Sequence, residues 1–221
     1  MFFVDRRDAG RQLALRLAAY AGRDDVLVLA LPRGGVPVAY EVAEVLDAPL
    51  DVFTVRKLGV PGHEELAMGA IASGGVVVLN EDVIEALQIP QEIIDAVAAR
   101  EREEMVRREQ AYRDDRPMPE IRGHCVILID DGLATGASMF SAVGSARQQG
   151  PSRVVVAVPV AAVQTAERLN AEVDEFIAVR TPTPFYGVGQ WYDDFSQTSD
   201  EEVRKLLERA YQTRRIPSGK P

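Results

Sequence analysis

Six short runs rich in Val, Ile and Leu set the strongest limit on what this chain can become. They are "VLVLAL" (26–31), "LDVFTVR" (50–56), "GVVVL" (75–79), "HCVILI" (124–129), "RVVVAVPV" (153–160) and "VDEFIAV" (173–179). Several show little alternation of apolar and polar residues, the pattern of strands covered on both faces in a parallel sheet. Helical patterns lie between them at 6–20, 36–46, 137–149 and 162–171. This alternation implies an α/β fold with a doubly wound, mainly parallel sheet of about five strands. A single domain over 1–221 is expected, with its core at about 22–180. In such sheets ligands gather beyond the carboxyl ends of the strands.

Composition narrows the function classes. A net charge of −9 weighs against a general nucleic-acid binder, since affinity for a phosphate backbone needs clustered Lys and Arg. The single Cys125 permits no intrachain disulfide, as expected in a reducing compartment. With His63 and His124 the only histidines, a His/Cys zinc site has no support. The opening "MFFVDRRDAGRQ" turns charged after four residues, unlike a signal peptide. No segment approaches the ~20 apolar residues of a membrane span. The expectation is a cytoplasmic protein without nucleic-acid or membrane partners.

Two stretches stand outside the alternation. Residues 90–116 read as one long helix with Pro90 in its first turn. Ile94, Val97, Ala98, Met105 and Tyr112 fall roughly on one face, interrupted by Glu101, and eight acids and six arginines fill most of the rest. A solvated helix laced with ion pairs is the expectation, a dimer contact the alternative. Near the end, Ser199 and Glu202 stand at capping-box spacing, so a terminal helix is expected at about 200–213, with a frayed tail after it.

The chemistry concentrates in "VILIDDGLATGAS" (126–138). Asp130 and Asp131 follow a buried strand, with no basic partner nearby in sequence. A P-loop NTPase would need G-x-x-x-x-G-K-[ST], which is absent. A phosphorylation site of receiver type leaves "ATGAS" without a purpose. The bland reading is a turn whose acids cap the next helix. Against it, Ala134, Thr135, Gly136, Ala137 and Ser138 are all small and stand where a helix begins. Amides at a helix start favour an anion, and Thr135 and Ser138 add hydroxyl donors. Carboxylates for vicinal hydroxyls beside an amide cradle for a phosphate suggest a sugar phosphate.

This stretch resembles the signature for phosphoribosyl pyrophosphate (PRPP) in type I phosphoribosyltransferases: four apolar residues, two acids, then T-G-x-[ST]. The resemblance implies that Asp130 and Asp131 address the ribose hydroxyls and that 134–138 hold the 5′-phosphate. It also calls for a pyrophosphate loop after the first core strand, and "PRGG" (32–35) stands there. Gly34 and Gly35 would let the backbone approach closely while Arg33 neutralises the diphosphate; xanthine–guanine phosphoribosyltransferases carry a similar S-R-G-G. "VRKLGVPGHEELAMGAI" (55–71) is more similar to a little-characterised bacterial subgroup of the family than to its purine or pyrimidine enzymes. The resemblance implies a flexible loop there, with Arg56, Lys57 and Glu65. Glu65 is either a structural anchor or a base, and Lys57 joins Arg33, Asp130 and Asp131 as a catalytic candidate.

By the same resemblance residues 181–198 form a hood, where Trp191, Phe185 or Tyr192 stacks on a base. A satellite aromatic core is the equal alternative. The implied reaction is phosphoribosyl transfer from PRPP to a nitrogenous base or amine, within nucleotide metabolism. Mg²⁺ would act through ribose and pyrophosphate oxygens near Asp130 and Asp131. A PRPP-sensing protein without catalysis is the alternative, and a homodimer is expected.

Overall fold

The computed structural model describes residues 2–114 and 116–215. In chain order the elements are α1 (Arg6–Arg16), β1 (Val26–Ala30), α2 (Gly35–Leu46), β2 (Leu50–Val52), β3 (Val55–Val60), β4 (His63–Ala72) and β5 (Val76–Leu79). They continue as α3 (Glu81–Leu87), α4 (Gln91–Arg113), β6 (Cys125–Ile129), α5 (Ala137–Gln148), β7 (Arg153–Val160), α6 (Val163–Glu172), β8 (Glu175–Arg180) and α7 (Asp200–Arg215). Of the tail expected to fray, 216–221 lie outside the described residues.

Five parallel strands form the main sheet in the order β2-β1-β6-β7-β8. Every residue of β1 and β6 is buried, as their unbroken apolar runs require. Val28, Ile127 and Val155 point to one face and pack with α1, α2 and α7. Leu29, Leu128 and Val156 point to the other and pack with α5 and α6. The chain returns to opposite sides of β1, so the strand order reverses between β1 and β6. That reversal is where an open α/β sheet parts its loops into a crevice.

Two strand expectations need correcting. The run 50–56 is not one strand: Leu50–Val52 joins the main sheet, Phe53 and Thr54 break the pairing, and Val55 begins another sheet. Thr54 N–H donates to Ser73 Oγ at 2.7 Å and Ser73 N–H to the Thr54 carbonyl at 2.9 Å, pinning the departure. The run 75–79 supplies β5 of that second, antiparallel sheet, β3-β4-β5, rather than a core strand. Residues expected to form a mobile loop are the β3–β4 hairpin, turning at Pro61–Gly62, with register shifts at Gly59. Pro followed by a Gly at φ +80° is turn chemistry, and extended pairing on both sides satisfies the backbone. The short helix α3 was not among the expected helices; it fully buries none of its residues, and Val83 and Ile84 pack partly buried against the hairpin core.

α4 is less solvated than its composition implies. Ile94, Val97, Ala98 and Met105 close a separate core with Leu58, Val60, Met68 and Ile71 of the hairpin. Glu101, the interruption in the stripe, accepts from Arg56 Nε at 2.7 Å. Further along, Arg113 is 6% exposed and donates to Asp51 at 3.0 Å and Glu109 at 2.8 Å, while Glu109 also accepts from Ser73 Oγ. The charged helix is thus pinned to the main sheet by a buried ionic network. Ser199 caps α7 as expected, accepting from Glu202 N–H at 3.1 Å.

Candidate functional site

Adjacent strands bring the two key motifs together. Ala30 and Ile129 are register partners, so "PRGG" and "DDGLATGAS" leave the sheet side by side at the β1–β6 reversal. Their contact is close enough to dictate residue type. A β-carbon on Gly34 would stand 2.0 Å from Asp131 Oδ2, and one on Gly35 would stand 2.7 Å from the Ile129 carbonyl oxygen and 2.9 Å from Asp130 Cα. The Pro32–Arg33 peptide in this loop is cis.

Gly136 ends the acidic loop at φ +73°, a left-handed conformation that suits glycine, and α5 begins at the next residue. Ala134, Thr135, Ala137 and Ser138 are exposed, so the amides of this helix start face solvent rather than protein. The Thr165 hydroxyl donates to the Ala134 carbonyl and fixes the loop from α6.

The acids occupy an unfavourable place for free charge. Burial and the neighbouring carboxylate push Asp130 well above the usual carboxylate range, although its Oδ1 accepts from Asp131 N–H at 2.8 Å. Burial raises Asp131 as well, against the opposing pull of Arg6, whose Nε donates to Oδ2 at 2.8 Å. A ligand offering hydroxyls or a cation would favour the charged pair.

A cavity of about 180 Å³ opens beside Asp130, between the two motifs and α4. Arg33, Arg56 and Arg108 line it, with Thr54, Tyr112 and Ser138, and Arg56 and Arg108 also pair with Glu101 and Glu104. Arg33 also lies 3.9 Å from Asp200, which accepts from the Tyr112 hydroxyl at 2.6 Å. Burial and Asp200 push that tyrosine up to about 12, so it stays a hydroxyl donor at neutral pH. Three guanidinium groups beside a strand-end carboxylate suit a diphosphate.

Lys57 does not share this cavity. Successive strand residues face opposite sides, and Lys57 turns to Glu65, 3.5 Å away on the exposed flank of the hairpin. Glu65 is fully exposed there.

A second cavity, about 470 Å³, adjoins the other side of the loop and is lined by Ala134, Thr135, Gln164, Arg168, Thr183 and Phe185 among others. Trp191 and Tyr192 lie apart from it, in an aromatic cluster with Phe3. Phe2 sits 6.0 Å from the Trp191 ring, and Phe3 bridges Tyr192 through the backbone. The Tyr192 hydroxyl donates to the Asp131 carbonyl. Trp191 and Tyr192 thus belong to a satellite core, as one of the two expectations had it, while Phe185 both packs against that core and lines the cavity.

Arg6, Thr54, Arg108, Tyr112 and Arg168 join these surroundings without having been candidates. Tyr112 was legible only as an apolar-stripe residue. The arginines look like ordinary surface charge in sequence, and no spacing distinguishes them.

Comparison with known proteins agrees with this geometry. The model of the phosphoribosyl transferase domain matches residues 62–186. A Mycobacterium tuberculosis protein whose name provisionally reads phosphoribosyl transferase is 48% identical over 209 residues, covering 95% of this chain and 47% of that protein. The chain therefore spans about half the length of the curated relatives it matches. The crystal structure of TT1426 from Thermus thermophilus is 45% identical, covers 95% of this chain and 99% of that one, and superposes with a TM-score of 0.84. The matched span includes the acid pair and the small loop that follows it, and the chain belongs to the phosphoribosyl transferase domain family.

Proposed function

We propose that this chain binds PRPP across the β1–β6 crevice and transfers its phosphoribosyl group to a nitrogen nucleophile, releasing pyrophosphate. The observation that carries this reading is the packing of Gly34 onto Asp131, which sets the arginine-lined loop directly against the acid pair. Residues 134–138 hold the 5′-phosphate, Asp130 and Asp131 the ribose hydroxyls, and the arginine cavity the diphosphate.

In the reaction the bond from C1 to the diphosphate oxygen breaks and a C1–N bond forms, with loss of the acceptor's proton. C1 gains oxocarbenium character on the way, as in glycoside hydrolysis. Arg33 stabilises the charge that accumulates on the leaving group, and the acid pair places negative charge near C1. The chain holds its substrates in line rather than forming a covalent bond to them.

Among the described residues no three His, Cys, Asp or Glu side chains cluster as metal ligands. Mg²⁺ would be bound here through one or two carboxylates plus substrate phosphates, the usual manner for this ion. Asp130 and Asp131 would meet it through ribose and diphosphate oxygens. When bound, it supplies charge neutralisation of the leaving diphosphate.

The acceptor sits in the larger cavity against Phe185. Phe185→Ala should raise the acceptor KM by ~1–3 kcal/mol of lost stacking, roughly 5- to 150-fold, with PRPP affinity unchanged. Trp191→Ala should instead lower the melting temperature and leave that KM alone. Equal KM values for Phe185→Ala and the parent would move the acceptor elsewhere. Arg33→Ala should weaken PRPP by ~1.5–3 kcal/mol, or roughly 10- to 150-fold, yet spare ribose 5-phosphate, which has no diphosphate. Equal losses for both ligands would make Arg33 structural.

A second reading, PRPP sensing without turnover, draws on one observation. The described residues lining the larger cavity include no carboxylate or imidazole to take the acceptor's proton. Incubation with PRPP, Mg²⁺ and a panel of bases, following pyrophosphate, separates the two. Release that depends on one base supports transfer, and saturable binding without release across the panel supports sensing. Absence of PRPP binding sinks both.

A further inference from the structure

Asp131 has a partner 125 residues away in sequence. Asp5 caps α1 by accepting from Asp8 N–H at 2.7 Å, which sets Arg6 at the head of that helix. From there the Arg6 guanidinium makes three separate contacts. Its Nε donates to Asp131 Oδ2 at 2.8 Å, its Nη1 donates to the Ser196 carbonyl at 2.7 Å, and its Cζ lies 4.0 Å from the centre of the Phe195 ring. The side chains of the ion pair are only 11% and 14% exposed.

This is unlike a surface ion pair, which two mobile side chains make and salt screens. The same Asp131 oxygen faces the Gly34 backbone, where a β-carbon would stand 2.0 Å away. Oδ2 is therefore hemmed between an arginine and a glycine. The Tyr192 hydroxyl holds the main-chain carbonyl of the same residue. Each of these contacts fixes Asp131, and its other side-chain partner is the adjacent Asp130.

We infer that Arg6 is a positioning residue of the ribose site: by taking Oδ2 of Asp131 it holds that carboxylate in one orientation beside Asp130 for a sugar hydroxyl, and it ties the carboxylate to the 189–196 segment. The inference rests on the reading that the acid pair binds ribose. Only a planar guanidinium can bond the carboxylate, bond the carbonyl and lie on the ring at once; a lysine offers charge without that plane.

A purely structural role predicts something different, namely a general loss of stability with every ligand affected alike. The experiment is calorimetry on the full chain with ribose 5-phosphate, its 2-deoxy and 3-deoxy analogues, and inorganic pyrophosphate. Parent, Arg6→Ala, Arg6→Lys, Asp131→Asn and the Arg6→Ala/Asp131→Asn pair are compared. Arg6→Ala should weaken ribose 5-phosphate about tenfold or more, the worth of a charged hydrogen bond, and should erase discrimination against the same deoxy analogue that Asp131→Asn does. Pyrophosphate affinity should stay within about twofold, and the double variant should bind no more weakly than Asp131→Asn alone, because both changes remove one interaction. Arg6→Lys, which keeps the charge and folds if Arg6→Ala does not, should retain affinity between parent and Asp131→Asn. Additive losses, or equal losses on pyrophosphate and sugar, overturn the role of Arg6. A parent chain that ignores the sugar hydroxyls would instead remove the ribose reading itself.

Discussion

Gly34→Ala should cost roughly a hundredfold or more in PRPP turnover, the largest loss expected from any single methyl group in this chain. The new carbon would overlap Asp131 Oδ2 at 2.0 Å and Cγ at 2.7 Å, and Asp131 cannot swing aside without breaking its bond to Arg6. Either the acid or the loop must move. Overpacking of this kind costs ~1–3 kcal/mol in stability, and a displacement of about 1 Å at a reacting centre costs far more in rate. The melting temperature should therefore fall modestly while turnover nearly vanishes. Should no turnover be found in the parent, PRPP affinity by calorimetry reads the same displacement. A variant that binds and turns over PRPP like the parent would show that the loop and the acid pair do not form one site.

The second large effect concerns stability. Arg113→Ala should destabilise the fold by ~3–5 kcal/mol, because it leaves the buried carboxylates of Asp51 and Glu109 without their cation. The loss should depend on pH in a stated sense. Burial already raises Asp51 above its ordinary carboxylate value, with Arg113 opposing the shift. An acid raised on folding costs stability as pH climbs from its unfolded value through its folded one, and removing the arginine raises it further. The deficit relative to the parent should thus be greater at about pH 8 than at about pH 5, where protonation relieves the orphaned acid. Urea unfolding at both values measures it. A deficit that grows toward acid would mean the carboxylates find other partners. Because α4 carries both Arg113 and the cavity-lining Arg108, loosening it should also weaken diphosphate binding.

Much of the fold was legible where the signal is local. Unbroken apolar runs marked β1, β6 and β7, since a strand buried on both faces has no room for alternation. The acid pair and the small loop after it were legible too, because strand, carboxylates and helix start follow one another within a dozen residues. The hairpin was not. Its glycines and Pro61 read as a loop, while the pairing that makes β3 and β4 strands comes from partners across the turn. α4 was read for its charge, yet its stripe is buried by the hairpin and its Glu101 is answered by Arg56, 45 positions earlier.

The division follows from how each interaction is specified. Residue order carries the strands, the acids, the glycines that permit close approach and the hydroxyls at the helix start, because each acts through its own backbone or a near neighbour. The register of β1 on β6 then decides that Gly34 meets Asp131, and the packing of α1 and α4 delivers Arg6 and Arg108. An arginine in sequence is a charge on a long flexible stem. Whether it is a solvated surface group or the clamp on a buried carboxylate depends on what lies within a few ångströms, and only the folded chain settles that.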